Sequence, residues 1–264
     1  MAAHNGAIGV LPVSDRPYED KAWLAQHLRE ERAEADLLSE IREALFGMQD
    51  GLVSTLAVVS TVGGATNDRF PILVAGLASA LAGVFSMAAG EYLSSKSQRE
   101  IFLAQVAKER DEVHGRPGES EAEVAYMLEQ EGLDEAAAKR VAAEMARVPS
   151  VLLKTMVEKE LGIDLVEGRN PLQGALVMGA SFGLAALVPV IPYLLLPVNV
   201  AIWASVVVTA AVLFTVGAVK SRWTRRDPLR SGLEVVTLAA FAGIAGYLFG
   251  SLLPALLGVS VNGP

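Results

Sequence analysis

Cysteine is absent from this chain, and its absence excludes disulfides, thiolate zinc sites, iron–sulfur clusters and thiol nucleophiles together. Histidine is scarce: His4, His27 and His114 are the whole set, too few for an imidazole-rich metal centre. Asp111 and His114 form one D-x-x-H, whereas a ferritin-like di-iron site takes two E-x-x-H elements on separate helices. A ferroxidase is therefore excluded. No apolar run carries G-x-S-x-G, H-E-x-x-H or a second buried acid suited to a dyad, so an intramembrane enzyme is not expected either. No cleaved leader is expected, because "AIGVLPV" is short and flanked by polar residues. The first apolar helix is expected to serve as its own uncleaved signal. With a formal charge of −8, no nucleic-acid partner is expected.

What is present is apolar sequence. The chain is 52% hydrophobic with mean hydropathy +0.39, and it still carries 52 charged side chains, 22 basic and 30 acidic. Apolar and charged residues must therefore be segregated along it. Windows of about twenty residues, long enough to cross ~30 Å of hydrocarbon, fall near 44–66, 71–95, 172–194, 197–220 and 231–257. The third and fourth are joined by "VPVIPYLLLPVN", a turn marked by Pro189, Pro192 and Pro197. The expected fold is an all-α membrane protein with five transmembrane helices and a three-helix cytoplasmic domain inserted between helices 2 and 3. By segment, 1–40 is a cytoplasmic N-terminal stretch with an amphipathic helix and 41–96 holds helices 1 and 2. Residues 97–170 form the inserted domain, 171–258 hold helices 3 to 5, and 259–264 are a tail.

Orientation follows from basic residues. "KSRWTRRDPLR", between the fourth and fifth spans, holds Lys220, Arg222, Arg225, Arg226 and Arg230, whereas "NDR" between the first two holds one arginine. The basic segment is expected in the cytoplasm, together with the N-terminus and the insertion. Trp203 and Trp223 read either as interface anchors or as packed aromatics. The alanine- and arginine-rich composition suits a bacterial plasma membrane.

Within the first apolar run, "GMQDGLVST" places Asp50 about two turns inside a membrane helix, where an aspartate costs ~2.5–3.5 kcal/mol on insertion scales. Such an acid is a functional candidate by default. On the second span Gly76, Ala80, Gly83, Met87 and Gly90 recur at intervals of three or four, a small-residue face on which helices approach closely. Met87 projects from that face and is expected to meet Asp50. Glu91 has two readings: a structural acid snorkelling to the interface, or a guide for cations at the mouth of the path.

The insertion concentrates the charge. From Ser97 to Glu167 there are sixteen acidic and nine basic residues, so most of the net charge lies in about a quarter of the length. Three helical pieces are expected at 97–114, 119–131 and 134–161, the last with a possible break near Pro149, and with Ser120 placed to cap the second. Glu109 and Glu112 lie three apart, Glu119 and Glu123 four apart, and Met156 and Glu160 four apart, so each pair shares a helix face. Converging carboxylates repel unless protons or cations intervene. Oxygen ligands suit hard divalent ions, and a thioether among them favours Fe2+. The plainer reading is a set of solvated acidic helices with Met127, Met145 and Met156 as apolar stripes.

"DGLVS", "SMAAGEYLSSKSQRE", "KELGID", "LVPVIPYLLLP" and "DPLRSGLE", in this order from about 40 to 250, resemble the vacuolar iron transporter family and its bacterial relatives. The resemblance implies a homodimer of five-helix subunits with the ion path at the dimer interface. It also implies a cytoplasmic metal-binding domain, and export of Fe2+, often also Mn2+, from the cytosol in exchange for protons. No prosthetic group is implied; the metal is cargo. It puts the path aspartate on Asp50 and the path methionine on Met87. The cytoplasmic ligands fall on Glu109, Glu112, Glu123, Glu160 and Met156, with Glu119 beside them. Three positions depart from plant members: Val157 replaces a second methionine, Ser120 an acid, and Ser79 an acid on the second span. The competing expectation is a membrane-anchored metal sensor or storage adaptor without transport.

Overall fold

The structure, a computed structural model, describes residues 20–160, 170–224 and 226–257. Residues 1–19 of the N-terminal stretch, the end of the insertion at 161–169 and the tail at 258–264 lie outside the described residues. All elements among those described are helices. Helix α1 spans Lys21–Ala65 and begins on Asp20, whose carboxylate accepts a hydrogen bond from the Ala22 amide at 2.8 Å. Its 45 residues extend about 68 Å at the α-helical rise, roughly twice a hydrocarbon core. Helix α2, Arg69–Gly115, is 47 residues long and is capped the same way by Asp68.

Two expected boundaries disappear in these long helices. Residues 21–40 are the first half of α1 and no separate amphipathic helix, and 97–114 are the last turns of α2. Helical hydrogen bonding runs unbroken where the sequence turns from apolar to polar, since neither junction carries a proline. The rest of the insertion is α3 (Pro117–Gln130), α4 (Glu135–Ala146) and α5 (Pro149–Glu160). Four helical stretches thus replace the expected three, because the piece expected at 134–161 is divided at Pro149, which starts α5. Pro117 also opens α3, where its missing N–H costs nothing. Ser120 is therefore one turn inside α3 and buried, not a cap.

Val113, Val124, Leu128, Ala138, Ala142, Leu152 and Met156 form the core of this module, with Met127 and Met145 packed against it. Each fully buried Leu, Val or Met stabilises it by ~1.5–3 kcal/mol. All three methionines thus contact the core of the module.

The remaining chain folds as α6 (Pro171–Ala186), the short α7 (Ile191–Leu195), α8 (Val198–Thr224) and α9 (Pro228–Leu257). Five stretches are long and apolar enough to cross a membrane: Lys21–Ala65, Arg69–Gly115, Pro171–Leu195, Val198–Thr224 and Pro228–Leu252. In the turn between α6 and α7 the Pro189 carbonyl accepts from Ser205 Oγ at 2.7 Å, which satisfies a backbone group that the break frees. Helix α1 is central, packed on α6 and α9, while α2 lies mainly against α6. Trp203 and Trp223 are both exposed on the bundle surface, in favour of interface anchors over packed aromatics.

Candidate metal sites

The acidic residues of the module gather where the end of α2 meets α3 and α5. Glu109 is 1% exposed, and its Oε2 receives no donor among the described residues. Its Oε1 lies 3.7 Å from Lys108 Nζ, a solvated ammonium that also reaches Glu112 at 3.3 Å. Another carboxyl, that of Glu160, also lies within hydrogen-bonding reach of Glu109. Two carboxylates offer each other no proton, so this contact holds only with a proton or a cation on it.

Burial, followed by the charges of Glu160 and Glu112, pushes the Glu109 carboxyl above the ordinary glutamate range against the weaker pull of Lys108. Burial likewise raises Glu123, helped by Glu160, Glu119 and Glu112 and opposed by Arg116. Arg116 pairs with Glu119 at 2.7 Å and Glu112 at 3.6 Å. The five expected glutamates, Glu109, Glu112, Glu119, Glu123 and Glu160, are therefore brought into one electrostatic neighbourhood by α2, α3 and α5. Among the described residues no three His, Asp or Glu side chains already stand at the spacing of a closed ion site; the cluster is gathered but open. Met156 is 0% exposed inside the apolar core, and Val157 beside it is equally buried. His114 is engaged locally, with Nδ1 at 2.7 Å from the Arg110 carbonyl oxygen.

In the apolar half Asp50 is half-buried on α1. Gly47 and Gly51, three residues before and one after it, let α1 close on α6: a Cβ on Gly51 would stand 2.4 Å from the Phe182 carbonyl oxygen, and one on Gly47 2.5 Å from that of Met178. The Ser54 hydroxyl donates to the Asp50 carbonyl at 2.6 Å. Met87 is half-buried on α2 and packs with Val84 against Ala80, Phe182 and Ala186. The Phe182 ring fills the notch at Gly83, where a Cβ would meet its Cε1 at 2.1 Å. Phe182 thus touches α1 with its backbone and α2 with its ring, at the level of the two path candidates. The small-residue face of α2 is used along Gly76, Ala80 and Gly83, whereas Gly90 meets nothing within 4 Å.

Glu91 does not stand alone. A Cβ on Gly174, in the first turn of α6, would be 2.9 Å from Glu43 Oε2 and 3.4 Å from Glu91 Oε1, so the two carboxylates converge there. Glu43 is 4% exposed, Glu91 accepts from Ser95 Oγ at 2.6 Å, and Glu40 accepts from Gln173 Nε2. Sequence reasoning missed Glu43. Its signal was available, seven residues before Asp50 and hence near the same helix face.

A model of the VIT family matches residues 41–251. The chain is 31% identical over 229 residues to vacuolar iron transporter 1 of Arabidopsis thaliana, covering 86% of this chain and 91% of that protein. It is 32% identical over 208 residues to vacuolar iron transporter 2 of Oryza sativa subsp. japonica, at 78% and 85% coverage. To the vacuolar iron transporter of Plasmodium falciparum it is 26% identical over 223 residues, at 81% and 82%. An apolar helical bundle holding Asp50, a module that gathers carboxylates and a match across most of the chain agree: the chain belongs to the VIT family.

Proposed function

We propose that this protein is a divalent-metal transporter that exports Fe2+, and also Mn2+, from the cytosol in exchange for protons. We read it as a homodimer in a bacterial plasma membrane, with its N-terminus and the inserted module in the cytoplasm. Its work is transport, not catalysis, as the family and the names of its relatives indicate.

The observation that carries this reading is Asp50. A carboxylate in an otherwise apolar span costs a few kcal/mol, and a helix that served only as an anchor has no use for it. A cation or a proton offsets the cost. The module supports the first step, because Glu109 keeps a buried oxygen without a donor beside a second carboxyl. Carboxylates around that point bind a hydrated divalent ion from the cytosol and raise its concentration near the bundle. Glu91, with Glu43 converging on the same turn of α6, lies at the mouth of the path. Asp50 and Met87, each supplied twice by the dimer, then replace part of the ion's water shell, the thioether favouring Fe2+ over harder ions. After release the two Asp50 carboxylates of the emptied site each take up a proton, and the site returns without net charge.

The purified protein in sealed liposomes tests this. Metal flux that depends on the protein and is accelerated by an opposing pH gradient is the expected result; metal binding without flux would leave the sensor reading in its place.

A further inference from the structure

We propose that the groove between the middle of α1 and the last turns of α8 binds the headgroup of an anionic phospholipid from the surrounding bilayer. The cavity measures about 280 Å3 and is lined by Arg42, Leu45, Phe46 and Gln49 of α1 and by Lys220 and Trp223 of α8, among others. It opens at the end of α8 where apolar sequence gives way to "KSRWTRR", the level at which a membrane helix leaves hydrocarbon. Arg42 and Lys220 reach it from different helices, and neither is engaged in an ion pair with a described residue. The wall beside them is apolar and open: Phe46 is 56% and Trp223 46% exposed.

This combination selects its occupant. Two cations without an ion-pair partner among the described residues call for an anion, and an apolar wall calls for hydrocarbon next to that anion. A lipid phosphate with a neutral glycerol headgroup supplies both at the right depth. A zwitterionic lipid would bring its own ammonium toward Arg42 and Lys220, and a free phosphate would leave Phe46 and Leu45 uncovered. Trp223 belongs at the headgroup level, where an indole keeps its N–H wet and its ring in the apolar layer.

The tryptophan makes the test direct. The chain has three tryptophans, so Trp23→Phe with Trp203→Phe leaves Trp223 as sole reporter in the full-length protein. This protein is placed in phosphatidylcholine bilayers containing a small fraction of chain-brominated phosphatidylglycerol or of chain-brominated phosphatidylcholine. Quenching of Trp223 by the anionic lipid is expected at roughly tenfold lower mole fraction. Arg42→Gln with Lys220→Gln should abolish that preference, whereas Arg222→Gln with Arg226→Gln, outside the groove lining, should leave it. Equal quenching by the two lipids in the protein with intact Arg42 and Lys220 overturns the proposal without recourse to any charge variant. So does a preference that survives Arg42→Gln/Lys220→Gln, one lost equally in the Arg222/Arg226 variant, or one reversed by millimolar inorganic phosphate. None of these outcomes depends on whether the protein transports metal.

Discussion

Glu109 and Glu160 meet carboxyl to carboxyl at the junction of α2 and α5, although 51 positions separate them in the chain. Burial holds the Glu109 carboxyl above the ordinary glutamate range, so in the metal-free protein Glu109 keeps its proton to higher pH than a solvated glutamate would. A divalent ion must displace that proton. Metal affinity of the full-length protein should therefore fall as pH drops from neutral toward the ordinary glutamate range, and binding should release protons. Calorimetric titrations in buffers of different ionisation enthalpy measure both, and a pH-independent affinity without proton release would show that the ion goes elsewhere.

The raised carboxyls of Glu109 and Glu123 also set the stability of the metal-free module. A group held above its unfolded value stabilises the fold at low pH and loses that contribution as pH rises through the folded value. The metal-free module should accordingly unfold more easily at neutral pH than in the mildly acidic range, and added divalent metal should remove the difference. Thermal unfolding followed across pH with and without metal would contradict this if the metal-free protein gained stability toward neutrality.

Substituting Glu109 by Gln separates charge from shape. The amide keeps the volume and relieves the like-charge contact with Glu160. The melting temperature of the metal-free protein at neutral pH should rise, while metal affinity there should fall at least about tenfold. A variant that binds metal normally would return the cluster to the status of a solvated face.

Packing around Phe182 predicts two different responses to one methyl group. At Gly83 the obstacle is the Phe182 ring, so Gly83→Ala should destabilise by ~1–3 kcal/mol and Phe182→Leu should restore part of the loss. At Gly51 the obstacle is the Phe182 carbonyl, and trimming that side chain should restore little. Thermal unfolding of the two single and two double variants in detergent decides this; equal rescue at both sites would mean that α1 and α2 do not share Phe182 as described.

Much of this architecture was legible in residue order, and the misses have physical causes. The five apolar windows were readable because twenty apolar residues have few other uses. The start of the first helix and the end of the second were not marked, since a helix crossing from hydrocarbon to water keeps its hydrogen-bond ladder. Change in composition at 40 and 96 therefore marked a change of medium rather than an element end. Pro149 was legible as a break because a proline removes a ladder bond. Glu109 with Glu112, and Glu119 with Glu123, were visible as pairs because helix spacing is local. Bringing Glu160 to them takes three turns between helices whose directions no local spacing encodes. Met156 shows the reverse limit: its position four residues before Glu160 was read correctly as one helix face, yet that face is apolar core at 156 and carboxylate cluster at 160.

The central claim is that metal crosses the bilayer past Asp50. Fe2+ flux into or out of sealed liposomes should be compared for the protein and for Asp50→Ala, both shown to be folded by circular dichroism and to bind metal equally through the module. Loss of nearly all protein-dependent flux in Asp50→Ala, with module binding intact, is the predicted result. Flux at the unsubstituted rate in that variant would contradict the account and remove Asp50 from the path.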